Sequence, residues 1–185
     1  MMPEISLNVL DVAENSVRAG ASRIRISVTA DTAADTLTVS IGDDGCGMTE
    51  EQVENVTDPF FTTRTTRRVG LGVPFFKLAA ELSGGSFAIG SRPGEGTEVT
   101  AVFGLSSVDR MPLGDMPSTM HTLITMHEEI DFDYHYRCDE DHFELDTADL
   151  REILGDVSFR EPEISEYIRS FLRENTNEVT KERVL

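Results

Sequence analysis

The stretch Asp43-Asp44-Gly45-Cys46-Gly47-Met48 reads D-x-G-x-G-M and follows directly on Leu37-Thr38-Val39-Ser40-Ile41. The alternation of that run marks a strand with one buried face. A strand that runs into a carboxylate and two close glycines suits delivery of the carboxylate to a ligand. The glycines let the backbone turn and pass near the ligand without a Cβ clash. An ordinary Asp-Gly turn is the plainer reading of the same residues. The flanking sequence decides between them.

Upstream, Ile5 to Asn8 reads as a short first strand. Asn8 to Ala19 has helical period, with Val9, Leu10, Ala13 and Val17 apolar and Gly20 as the stop. Asp11, Asn15 and Arg18 are four and three residues apart and share one stripe of that helix. A carboxylate, an amide and a guanidinium on one face can hold a metal ion and phosphates. A solvated face is the alternative, although an Asn inside a helix has poor propensity and wants a reason. Arg23 to Thr29 alternates as a strand, and Asp31 to Asp35 is the turn to its partner, Leu37 to Ile41.

Downstream, Thr49-Glu50-Glu51-Gln52 is a capping box that starts a short helix to about Asn55. Asp58-Pro59 breaks it. Thr62 to Arg68 reads as a mobile loop carrying Arg64, Arg67 and Arg68. Gly70-Leu71-Gly72-Val73-Pro74 then leads into a helix over Phe75 to Leu82, ended by Gly84-Gly85. A glycine pair before a helix N-terminus makes a phosphate cradle, because free N–H groups and the helix dipole both favour anions there. Neither a Walker A motif nor a Rossmann G-x-G-x-x-G is present. Phe87 to Ser91 and Thr97 to Phe103 are two strands joined by Arg92-Pro93-Gly94-Glu95-Gly96.

These stretches together resemble the ATP-binding domain shared by histidine kinases, MutL, gyrase and certain anti-sigma kinases, the GHKL or Bergerat-fold family. Asp11-x-x-x-Asn15 matches the N-box. Asp43-x-Gly45-x-Gly47, Gly70-Leu71-Gly72 and Gly94-Glu95-Gly96-Thr97 match the glycine boxes in order. The resemblance covers about residues 5–104. Ala13-Glu14-Asn15-Ser16 with Ala19-Gly20-Ala21 looks like MutL, whereas the run from Asp58 through Thr97 is similar to the histidine kinase catalytic domain, the best single match.

The resemblance implies an α/β (α+β) two-layer sandwich, with a mixed, mostly antiparallel sheet and helices on one face. It implies ATP and Mg²⁺ as cofactors. Asp43 would accept from the adenine amino group, supported by Thr97 through water, and a carboxylate is acceptor-only. Gly45 and Gly47 would shape the loop, and Met48 and Phe60 would line the adenine slot or simply be core. Asn15 would ligate Mg²⁺, an oxygen-seeking ion that also takes phosphates and water. Arg18, Arg64, Arg67 and Arg68 would meet phosphate charge, with Gly70, Leu71 and Gly72 wrapping it.

Two departures bear on activity. Hydrolytic members carry Glu where this chain has Asp11, the tentative base, whose reach is roughly 1.5 Å shorter. Arg68 replaces an earlier glycine. A sensor kinase also has a dimerising helical hairpin with a phosphoacceptor His, and only about ten residues precede Asp11. His127-Glu128 begins like a phosphoacceptor box, but Glu129-Ile130-Asp131 does not continue it.

At 185 residues the chain can bury one core. We divide it into 1–104, the ATPase domain, and 105–185, an acidic accessory α+β region. Of the net charge of −18, the first part carries 8 basic and 14 acidic groups, net −6. The second carries 8 and 20, net −12. That balance argues against a nucleic-acid surface and fits solubility or a basic partner. No long apolar run suggests a membrane span or leader. Cys46 and Cys138 read as free thiols of a cytoplasmic protein. No histidine spacing suggests zinc.

In the second part, Met111 to Pro117 is a linker. Ser118 to Glu129 is a helix capped by Ser118, and strands over Ile130 to Cys138 and His142 to Leu145 flank an acidic tip. Asp149 to Leu154 and Glu163 to Glu174 are helices, with a frayed tail from Asn175. This block reads as a protein-docking or accessory unit. Two functions stay open. One is a stand-alone kinase or ATPase subunit acting on a separate phosphoacceptor protein. The other is a nucleotide-gated binding module, anti-sigma-like or MutL-like, with slow or no hydrolysis.

Overall fold

The computed structural model describes residues 4–58, 71–181 and 183–185. Helix α1 (Ile5–Arg18) buries Ile5, Val9, Val12, Ala13 and Ser16, the spacing of one helical face. Residues 5–8 are therefore its first turn and not a strand. Their free N–H groups are satisfied from far away in sequence: Ile5 N donates to the Pro112 carbonyl (3.0 Å) and Ser6 N to that of Leu113 (2.8 Å). A four-residue apolar alternation could not reveal that cap.

Strands β1 (Arg23–Asp31) and β2 (Thr36–Asp43) form an antiparallel hairpin. Helix α2 (Glu50–Thr57) begins with the capping box, since Gln52 N donates to Thr49 Oγ1 and Thr49 N to Gln52 Oε1. Helix α3 (Gly72–Leu82) starts three residues before the expected Phe75, with Pro74 inside its first turn, where no N–H is required. Strands β3 (Ser86–Arg92) and β4 (Gly96–Gly104) follow.

The second part supplies α4 (Met116–Met126), β5 (Asp131–Cys138), β6 (Asp141–Asp146), α5 (Thr147–Leu154) and α6 (Pro162–Thr180). The cap of α4 is Asp115, not Ser118: the Asp115 carboxylate accepts from Ser118 N and Ser118 Oγ. The expected frayed tail from Asn175 is helical to Thr180, because Val179 and Thr180 are buried.

The strands make one mixed sheet of order β3-β4-β2-β1-β5-β6, antiparallel except for the parallel β1–β5 pair. Ile24, Ile26, Val28 of β1, Val39 and Ile41 of β2, and Phe132 and Tyr134 of β5 point to one buried face, where α1, α3, α4 and α6 cover them. Each such side chain contributes about 1.5–3 kcal/mol on burial. One apolar cluster runs through residues of both parts of the chain. The opposite face is polar, as in antiparallel sheets with one solvated side.

The parallel junction is clamped on that polar face. Asp133 is only 7% exposed. It accepts from Arg25 Nε at 2.8 Å, and His135 Nε2 lies 2.7 Å and Arg23 Nη2 3.5 Å from its carboxylate oxygens. Burial pushes the Asp133 carboxyl up, but the Arg25 bond and the charges of His135, Arg25 and Arg23 outweigh it and hold it below its ordinary value. The stability it contributes is therefore present above the unfolded carboxylate value and lost as pH falls through the lower folded one. Asp133→Asn should cost about 1 kcal/mol at neutral pH, the exposed arginines keeping it at the low end. In urea melts the gap to wild type should close as pH drops below about 3.9.

Candidate nucleotide site

Asp43 ends β2 on the helix-covered face. In register across the sheet, Asp43 sits opposite Thr97 of β4, and Thr97 opposite Ser91 of β3. These three polar residues continue the row that holds Ile24 and Phe132 on the other side. The Asp43 carboxylate is fixed at both oxygens: Gly45 N donates to Oδ1 at 2.9 Å, and Ser16 Oγ of α1 donates to Oδ2 at 2.5 Å. Each oxygen keeps a further lone pair for an outside donor. Ser91 Oγ lies 2.8 Å from Thr97 Oγ1.

The neighbouring Asp44 faces elsewhere and is committed. It accepts from the Ser22 hydroxyl and from the N–H groups of Ser22 (2.8 Å) and Arg23 (3.0 Å). Burial raises its pKa, but those hydrogen bonds outweigh this and hold it low. Of the two adjacent carboxylates, Asp43 is thus the one turned to the site.

The loop after Asp43 is pinned on three sides. Cys46 N donates to the Ala19 carbonyl at the end of α1 (3.0 Å), Gly94 N donates to the Cys46 carbonyl (2.7 Å), and Met48 N donates to Ser91 Oγ (2.8 Å). Gly47 has φ +66°, and a Cβ there would lie 1.9 Å from the Arg92 carbonyl oxygen. Only glycine fits that backbone approach. Met48 is half-buried beside it.

Asp11, Asn15 and Arg18 do share the stripe expected of them on α1. Arg18 Nη2 donates to Asn15 Oδ1 at 2.5 Å. The N-terminus of α3 abuts the same stripe: a Cβ at Gly72 would lie 2.7 Å from Asp11 Cβ and 3.0 Å from Asp11 Oδ2. Leu71, just before it, is exposed. The structure therefore brings Asp11 to the head of α3 and, through Ser16, ties α1 to Asp43. Phe60, Arg64, Arg67, Arg68 and Gly70 lie outside the described residues.

Two residues of this arrangement had no assigned role in the sequence. Ser16 stands where the α1 pattern calls for an apolar residue, and that misfit was its only signal. Ser91 belongs to the kinase-like segment, but its bonds to Met48 N and Thr97 depend on strand register.

The family model for histidine kinase-, DNA gyrase B- and HSP90-like ATPases matches residues 4–107. The chain belongs to this ATPase family. Its curated relatives include the sensor protein kinase FleS of Pseudomonas aeruginosa, 37% identical over 97 residues, 52% of this chain and 24% of that protein. The sensor histidine kinase ZraS of Escherichia coli is 27% identical over 106 residues, 57% of this chain and 23% of that protein. The cell-division control histidine kinase PdhS of Brucella abortus is 30% identical over 115 residues, 54% of this chain and 11% of that protein. The chain thus spans a quarter or less of the length of these relatives. The ATPase match coincides with the four boxes and leaves α4 to α6 outside it. Among the described residues no helix is long and apolar enough to cross a membrane.

The loop geometry of this ATPase domain makes one substitution decisive. Gly47→Ala forces a left-handed alanine against the Arg92 carbonyl and should lower stability by at least about 2 kcal/mol. The check is a shift of the urea midpoint, with no change in slope.

Proposed function

We propose that residues 4–107 bind ATP with Mg²⁺ in the cleft bounded by the Asp43 row, α1 and the start of α3. The observation that carries this is the Asp43 carboxylate, held at both oxygens with acceptor capacity left over. The donor edge of adenine suits it, and Thr97 supports the same edge through water. Gly45, Gly47 and Met48 line the adenine end.

The phosphate end fits the same reading. Asn15 offers one amide oxygen, a suitable single protein ligand for Mg²⁺, which otherwise takes phosphate and water oxygens. Mg²⁺ when bound supplies charge neutralisation between phosphates. Arg18, which donates to Asn15, is a cation placed beside that amide for phosphate, and Arg64, Arg67 and Arg68 follow in sequence. Leu71 and Gly72 present N–H groups at the head of α3, and Gly70 precedes them in sequence.

On this reading the protein is a kinase-type ATPase subunit that acts on a separate protein. His127 supports an acceptor outside these residues: its Nε2 is engaged by Glu14 Oε1 at 2.7 Å and its side chain is 16% exposed. Kinase relatives support signal transduction as the setting, and the free thiols Cys46 and Cys138 support the cytoplasm. One observation favours the second reading, a nucleotide-gated module with slow turnover. Asp11, the candidate base, is short and packs against Gly72 rather than standing clear of α3.

Titration calorimetry with ATP and Mg²⁺, with phosphate release followed in the same samples, separates these. Wild type should bind ATP, and Asp43→Asn should weaken it about ten-fold or more. Asn15→Ala should reduce the Mg²⁺ dependence. Phosphate release abolished by Asp11→Ala makes Asp11 the base, whereas binding without release favours the gated module. No binding at roughly millimolar ATP overturns the site.

A further inference from the structure

A cavity of about 420 Å³ lies between the Pro112–Pro117 segment, β5 and the end of α6. It is at the far end of α1 from Asn15, roughly 15 Å along the helix at 1.5 Å per residue. None of the ATP-site residues lines it.

Its polar lining is unusual for having unused groups. Tyr136 is 2% exposed, lines the cavity, and its hydroxyl has no hydrogen bond among the described residues. Thr176 Oγ1, also in the lining, is buried without a partner. A buried hydroxyl left unpaired costs about 1–3 kcal/mol, so Thr176 calls for a partner, and the Tyr136 hydroxyl is a second, uncommitted donor in the same lining. Burial pushes the Tyr136 phenol well above its ordinary value, so it is a neutral donor. Arg173 lines the mouth with no ion pair or hydrogen bond among the described residues. Arg183, by contrast, is shared between the Thr180 carbonyl, Cys138 Sγ and Asp139.

Pro112, Leu113, Pro117 and Val184 supply an apolar part of the wall, with Asp115, Asn177 and Thr180 also in the lining. It is also fixed in place. Leu113 N donates to the backbone oxygen of Leu185 at 2.9 Å, and the Pro112 and Leu113 carbonyls cap α1. The hollow is therefore preformed, and its volume is in the range of small-ligand sites.

We propose that this cavity binds a small organic monocarboxylate, with its carboxylate between Arg173, Tyr136 and Thr176 and its apolar body against Pro112, Leu113 and Pro117. A carboxylate is acceptor-only and suits the uncommitted Tyr136 hydroxyl, the unpartnered Thr176 hydroxyl and the Arg173 guanidinium together. A single charge is favoured over a phosphate dianion because Asp115 also lines the cavity and one arginine alone is uncommitted.

The test is an amide NMR titration of the full chain with octanoate, benzoate and inorganic phosphate. At least one carboxylate should give saturable shifts at Gly114, Thr176 and Thr180, with Kd of about 1 mM or below. Arg173→Ala should raise that Kd about ten-fold, and Tyr136→Phe, which preserves the packing, about three-fold. Phosphate should bind far more weakly. The proposal is overturned by no saturable shift with either carboxylate up to about 10 mM, by a Kd indifferent to Arg173→Ala, or by phosphate binding as tightly as the carboxylates.

Discussion

The hydrogen bond from Ser16 of α1 to the Asp43 carboxylate is the joint on which the candidate site depends. It sets the height and rotation of α1 over the end of β2. That in turn fixes where Asp11, Asn15 and Arg18 stand relative to the Asp43–Thr97–Ser91 row. The same bond, with the Gly45 N–H, keeps the carboxylate from wandering. A carboxylate so held has already lost its rotamer freedom, so ligand recognition spends less entropy on it.

The C-terminal part supports the site by holding α1. Helix α1 is gripped along its length: by the Pro112 and Leu113 carbonyls at its N-terminus, by His127 on Glu14 in its third turn, and by Cys46 N on Ala19 just past its end. The first two grips come from residues beyond 104. Strand β5 also covers the β1 edge, whose backbone would otherwise be an open template for strand pairing. The Asp133 cluster ties the two strands across their polar face, where packing cannot.

Local signals carried well in the sequence. Alternation located β1 to β4, and the Asp and Gly residues at strand and helix ends located the Asp43 loop and the head of α3, because turn chemistry is written in single residues. Long-range partners did not carry. Residues 5–8 looked like a strand because their cap comes from Pro112 and Leu113, over a hundred residues away. The chain from Asn175 onward looked like a fraying end because the buried setting of Val179 and Thr180 is tertiary. Ser16 and Ser91 were silent as site residues because their partners lie 27 and 43 or fewer residues away across elements. The parallel pairing of β5 with β1 has no local signature at all.

The central claim is that Asp43 reads the amino group of adenine. The most direct measurement compares wild-type affinity for ATP with that for inosine triphosphate, which differs at the purine 6-position by carrying an acceptor carbonyl in place of the donor. Losing that hydrogen bond and facing a carbonyl against the carboxylate should weaken binding by about ten-fold or more. Equal affinity for the two nucleotides would contradict the account and leave Asp43 as a structural partner of Ser16 alone.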